Sequence, residues 1–298
     1  MFVRFCALFC ALFSFILADF TMPANITALK VRDNSVLVGL DNGELVEYKD
    51  ESITTLAILP KISNHFNKDI NSRIYQIDFL NDMIVSLAEA NDLNKQIAIT
   101  KNGQTSLISQ QINQLKQVLI LDDKTLLLMG PNCEVNFYDI ASKKITHTSK
   151  WTLSGFEKAI IDRKENLLLI VCEGGIIFYY DLAAKKVIKE EPVHKDRIYD
   201  IAKFNDRIIT GSPERKTRYF DGNAAHIYDL RFPSYKVALN EDFGAYTTEN
   251  SIVIIDKNGA KINEIAYSGT LLTDLEFFKP DELVGAGYDK TLHFWSIK

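Results

Sequence analysis

Four cysteines (Cys6, Cys10, Cys133, Cys172) and five histidines (His65, His147, His194, His226, His293) are the residues from which metal or redox chemistry would have to be built. A c-type haem needs Cys-x-x-Cys-His, and no such run occurs. Zinc sites need clustered thiolates and imidazoles, whereas these histidines are scattered with no i, i+4 partner. A quinone-dependent dehydrogenase would repeat tryptophan docking motifs, but the chain has only Trp151 and Trp295. Gly174-Gly175 stands alone between apolar runs, so neither a phosphate loop nor a dinucleotide fingerprint is formed. No catalytic residue, metal ligand or cofactor is therefore expected, and the chain reads as non-enzymatic. Acid–base residues assembled from separate segments are the alternative left open.

Recognition chemistry is better represented. Residues 61–72 and 89–95 are polar stretches around a single aromatic, Phe66, with His65, Lys68, Asp69, Asn91, Asp92 and Lys95 beside it. They read either as a polar recognition surface with one apolar anchor or as long surface loops, whose added length costs little. The most basic short run is Glu214-Arg215-Lys216 followed by Arg218. It reads as a solvated turn or as a site for an acidic surface, with the Arg215 guanidinium offering bidentate contacts to carboxylates.

Composition bounds these alternatives. The chain of 298 residues is 47% hydrophobic and 24% charged with a formal net charge of −5. That balance suits a globular core and argues against nucleic acid or an anionic membrane as the main partner. Residues 1–18 combine Arg4, an apolar run from Phe5 to Leu17 and the small residue Ala18 before Asp19, the pattern of a secretory signal peptide cleaved after Ala18. Export to the periplasm is therefore expected. No other apolar run is long enough to span a bilayer. Cleavage would remove Cys6 and Cys10. The repeat described next places Cys133 and Cys172 in neighbouring units offset by three positions, so two buried thiols are expected rather than a bridge.

The elements that must position these residues repeat. Pairs of apolar residues three apart open alternating runs at Ile26, Ile74, Leu115, Phe156, Ile198, Tyr235 and Leu272, with steps of 48, 41, 41, 42, 37 and 37 residues. The mean of 41 is the period of a four-stranded propeller blade. A second register comes from the third strands, which end at Lys49, Thr100, Asp139, Asp181, Asp221, Asp256 and Ser296. Turn residues such as Asp41-Asn42-Gly43 and Asn102-Gly103 separate the runs, and fourth strands are expected at 54–59, 144–148, 186–189, 224–230 and 261–267. The pattern predicts an all-β chain, residues 19–298, folded as a single seven-bladed β-propeller. In residues 271–298 the last unit stops after its third strand, so residues 19–24 are expected to supply the missing strand and close the ring. The fourth-to-first and second-to-third connections of such units emerge on one face, so the two polar stretches are expected side by side, with the Arg215 turn on the same face.

Units five and seven, residues 211–221 and 285–295, resemble the second-to-third-strand signature of WD-repeat propellers, and His194 sits where that family places its histidine. The resemblance implies a His-to-Asp hydrogen-bond network, but Arg215 takes the aspartate place in unit five and Ser268 the histidine place in unit seven. The network is therefore expected to be absent from both. Period, length and leader together are similar to the WD-repeat-like NapL accessory proteins encoded with periplasmic nitrate reductases. That similarity implies a monomeric, cofactor-free scaffold whose protein partner belongs to a periplasmic nitrate-reductase system. A scaffold for outer-membrane protein assembly and a propeller hydrolase or lactonase are the alternatives.

Overall fold

The computed structural model describes residues 16–109, 114–267 and 271–297, so the first fifteen residues of the leader read at 1–18 lie outside them. In chain order, β1 (Ile16–Thr21) is followed by β2 (Ile26–Arg32), β3 (Ser35–Leu40), β4 (Glu44–Lys49) and β5 (Ser52–Ile58), of which β2 to β5 form an antiparallel sheet in sequence order. The same order holds for β6 (Ile74–Leu80), β7 (Met83–Glu89), β8 (Lys95–Lys101) and β9 (Gln104–Ser109). A seven-stranded sheet then comprises β10 (Gln117–Ile120), β11 (Thr125–Met129), β12 (Asn132–Asp139), β13 (Lys144–Asp162), β14 (Leu167–Cys172), β15 (Ile176–Asp181) and β16 (Lys186–Pro192). Two further four-stranded sheets are β17 (Asp200–Phe204), β18 (Arg207–Ser212), β19 (Lys216–Phe220) and β20 (Ala225–Asp229), then β21 (Val237–Leu239), β22 (Phe243–Thr247), β23 (Ser251–Asp256) and β24 (Lys261–Ala266). The last sheet joins β25 (Asp274–Lys279), β26 (Glu282–Ala286) and β27 (Thr291–Ser296) to β1.

Burial explains why these runs are strands. Second strands such as β3 and β7 lie between neighbours and are covered on both faces, so they read as continuous apolar runs. Fourth strands such as β16 are largely exposed and carry Lys and Glu, which protects an outer edge from pairing with another chain. Six apolar clusters lie between two successive sheets, and a seventh lies between the two halves of the seven-stranded sheet. Ile74, Ile77 and Ala98 pack on Leu37 and Leu45, for example, and Val284, Leu292 and Phe294 of the last sheet pack on Val36, Val38 and Val46 of the first. Gly39 in β3 allows a close approach of the first two of these sheets, since a Cβ there would stand 2.5 Å from Ile74 Cγ2.

Three expectations are corrected. The N-terminal strand that joins the last sheet begins earlier than residue 19: β1 pairs Ile16 with Trp295 and, beyond a register shift, Phe20 with Leu292 and Thr21 with Thr291. Residues 144–148 and the run opening at Phe156 are one 19-residue strand, β13, which pairs with β12 through its first part and with β14 through its last. That continuity overturns the third expectation, because Cys133 and Cys172 form a disulfide with a Cα separation of 6.4 Å. Consecutive β13 residues, Gly155 and Phe156, pair with Asn132 and Cys172, so the start of β12 and the end of β14 meet at one point. A register counted in separate units cannot show this meeting.

Both cysteines are buried in one cluster with Phe156 and Phe178. The bridge closes a separation of 39 residues, and chain-entropy arguments put its contribution at about 4 kcal/mol. Replacing both cysteines by serine is expected to lower the melting temperature by several degrees. An unchanged melting curve under reducing and non-reducing conditions would show that the bridge contributes nothing.

Candidate interaction face

The two polar stretches do meet. Ser63 N donates to Asn91 Oδ1 at 2.7 Å, and Asp92 N donates to Ser63 O at 3.0 Å. Within 61–72, Ile62 and Ile70 exchange backbone bonds of 2.9 and 3.0 Å, and Asn64 Oδ1 accepts from the Phe66 and Asn67 amides at 2.9 and 2.8 Å. The asparagine side chain thus replaces a backbone turn bond, and the small hairpin holds Phe66 outward at 88% exposure. His65 faces Asp92 across the loops at 3.9 Å, while Lys68 and Asp69 are exposed on the same tip. Lys95 Nζ stands 4.7 Å from the Tyr75 ring, and burial, helped by Lys116, holds its ammonium below the ordinary lysine range.

The basic run divides. Arg215 is exposed at φ 62° in the turn between β18 and β19 and shares the face by topology. Lys216 pairs with Asp229 at 3.3 Å on the neighbouring strand. Arg218 is corrected: the turn ends at Lys216, so Arg218 lies inside β19, half-buried on the face opposite Thr217 and Tyr219, with a buried Nε and its side chain lining a cleft between sheets.

The expected loss of the histidine network in unit five is also corrected. His194 Nδ1 lies 2.6 Å from Glu214 Oε1, and its Nε2 lies 2.8 Å from Thr210 Oγ1. A carboxylate only accepts, so Nδ1–H donates to Glu214 and Nε2 accepts from the threonine hydroxyl. Glu214, one residue before the expected position, does the work of the aspartate. Ser268, the counterpart in unit seven, lies outside the described residues.

Exposed apolar groups mark the same face more broadly. Among the described residues, seven of the thirteen large apolar side chains that reach solvent sit in or next to the fourth-to-first and second-to-third connections: Ile58, Phe66, Tyr75, Leu153, Phe232, Leu271 and Tyr288. Five of the remainder lie on outer strands. Phe66 at 88%, Leu153 at 80% and Tyr288 at 70% are the most exposed of all. Leu153 escapes sequence reading because it alternates correctly within β13, whereas Tyr288 follows a glycine in a turn and is a legible signal.

On the axis, β2, β6, β10, the end of β13, β17, β21 and β25 line a cavity of about 760 Å³. Its charged groups bond across sheets: Lys158 to Asp200, and Lys30 to Glu276 at 2.8 Å. Asp274 accepts from Leu29 N at 3.2 Å, and burial, against the pull of Lys236 and Lys158, pushes its carboxyl up to about 6. No group of three or more His, Cys, Asp or Glu side chains is placed to hold a metal among the described residues.

No family model and no curated protein sequence matches this chain. Solved structures do. A chain in the crystal structure of the mitotic checkpoint complex superposes with a TM-score of 0.77 at 11% identity, covering 99% of this chain and 96% of that one. The computationally designed Ika8 protein gives 0.67 at 14% identity, over 93% and 98%. At such identities the likeness is one of fold. The chain has a WD40-like β-propeller fold.

Two groups make stability depend on pH in opposite directions. Burial holds His194 below its ordinary 6.5. Below pH 6.5 the unfolded chain therefore binds more protons there, and this contribution is lost as pH falls. Asp274 is raised from 3.8 to about 6, so in that window the folded chain binds more protons and its contribution grows as pH falls. His194→Gln is expected to remove the acid-side loss of melting temperature between about pH 6.5 and 5, and Asp274→Asn to steepen it. Parallel melting-temperature profiles for the two variants would show that neither group titrates in this way.

Proposed function

We propose that the chain is a seven-bladed propeller, closed by β1 on β27, that acts without catalysis as an exported scaffold and captures a protein partner on its connection face. The observation that carries the reading is the concentration of exposed apolar side chains, led by Phe66, Leu153 and Tyr288, on the face where the ordered 61–72 and 89–95 loops also rise. Exposed aromatic and aliphatic anchors with a polar surround are the residues that supply most of the binding energy at protein interfaces. The circuit of sheet-on-sheet clusters, with the last sheet packed on the first, supports the ring. The leader pattern and the buried disulfide support an oxidising compartment, the periplasm. Cleavage after Ala18 would leave the Phe20 and Thr21 pairings and the buried Met22 in place. The assignment of the partner to a periplasmic nitrate-reductase system rests on the family resemblance alone.

Phe66→Ala combined with Leu153→Ala is expected to weaken capture of the partner from periplasmic extract by roughly 30-fold or more, the effect of losing a hot spot. Both side chains are solvent-exposed, so the melting temperature should hold. Adding Arg215→Ala should lower capture further. Loss of capture from Leu107→Ala or Ile188→Ala, on the outer strands, with the face variant unaffected would place the interface elsewhere.

A further inference from the structure

A second cavity, about 430 Å³, opens between the faces of two successive sheets, away from the axis. Ile177 and Tyr179 of β15 form one wall, and Ile208 and Phe220 form the other. Phe220 is 40% exposed at the rim, so the cleft is open to solvent. Arg218 lines the cleft from β19, with the charged side chains of Asp162, Lys189, Glu191 and Lys203 also on its walls. The Arg218 Nε is buried with no acceptor, and its charge is balanced at a distance by Glu214, whose carboxyl, against its burial, Arg218 helps His194 to hold below the usual range.

The other charges that could satisfy it are already engaged. The Tyr179 hydroxyl and the Lys189 ammonium each donate to Glu191 at 2.7 Å, and Lys203 donates to Asp162. Glu214, on the connection side, accepts from His194 and from Lys195 N at 3.1 Å. Glu165 and Asp206 also line the cleft, from the turns before β14 and β18. Both turns lie at the opposite end of the strands from the connection face.

A buried donor without an acceptor is costly, and a charged one more so. An oxygen anion presented from the cleft would remove that cost, and a planar carboxylate matches the guanidinium fork. We propose that this cleft binds a small amphipathic monocarboxylate, its head on Arg218 and its aryl or alkyl body against Ile208, Ile177, Tyr179 and Phe220. Apolar walls with a few polar groups that fix orientation are the usual make-up of a small-ligand site. The carboxylates at the far end disfavour a second negative charge, which limits the ligand to a monoanion. The site is independent of the protein-binding face.

Calorimetric titration of the whole chain with 4-phenylbutyrate and its neutral analogue 4-phenylbutyramide tests this. The acid is expected to bind saturably with a millimolar or tighter Kd, about what a ligand of this size can reach, and the amide at least ten-fold more weakly. Arg218→Met keeps the length of the side chain and breaks no Nε hydrogen bond, and it should bring acid and amide to the same weak affinity. Phe66→Ala with Leu153→Ala should leave acid binding unchanged. Equal binding of acid and amide by the parent chain, an absence of saturable binding, or undiminished acid binding by Arg218→Met would each overturn the site. The acid-to-amide comparison decides the matter even if the methionine variant fails to fold.

Discussion

The fold depends on how the innermost strand of each sheet satisfies its free edge. Radially arranged sheets diverge too much to share a backbone ladder, yet each inner strand still presents every second N–H toward its neighbour. Side chains two residues apart fill that gap. Gln76 and Asp78 accept from Val118 and Ile120, while Asp274 and Glu276 accept from Leu29 and Val31. Gln117 both accepts from Ala159 N and donates to Ala159 O, and Asp200 accepts from Val237 N. An i, i+2 pair of acceptors matched to an i, i+2 pair of amides is a strand ladder with one strand replaced by side chains.

That device sets the character of the axis. Aspartate reaches a neighbouring amide but carries a charge onto the wall of the cavity, and desolvation there raises Asp78 as well as Asp274. Lys158 on Asp200 and Lys30 on Glu276 offset the cost. The charged groups of the axial cavity are thus bound up in holding sheets together. A cluster of titrating residues in a central cavity would ordinarily suggest catalysis, but here each of these acids has a structural bond that a reaction would break. The connections between strands carry no such duty, which leaves their side chains free for the partner contact proposed above.

What could be read from the sequence follows from the same physics. The period was legible because every sheet repeats the same burial sequence, and the third-strand endings at Tyr48, Tyr138, Tyr180 and Trp295 are buried in each case. Phe66 was legible because its loop interrupts the repeat. Arg218 was misplaced because a basic run looks like a turn until the strand boundary at Lys216 is known. Cys133 and Cys172 were misjudged because β13 crosses from one half of its sheet to the other without a break, a continuity that neither residue encodes. The pairing of inner strands through Asp78 and Gln76 was hidden as well, since a polar residue at the start of an apolar run looks like an ordinary surface position.

The connection face suits binding because its order is paid for locally. The 61–72 hairpin is held by Asn64 on its own amides and by Ser63 and Asn91 between loops, so Phe66 is presented before any partner arrives. Association then costs little loop entropy, and most of the burial of an aromatic ring is retained as affinity. Leu153 gains the same advantage from β13, where backbone pairing on both sides of the crossing fixes an exposed residue that a free loop would leave mobile. A flexible insertion of the same composition would have to order itself at the moment of binding, and its apolar tip would favour non-specific contacts. Rigid anchoring from two different sources on one face is what the proposed docking surface requires and what loops that are merely tolerated would lack.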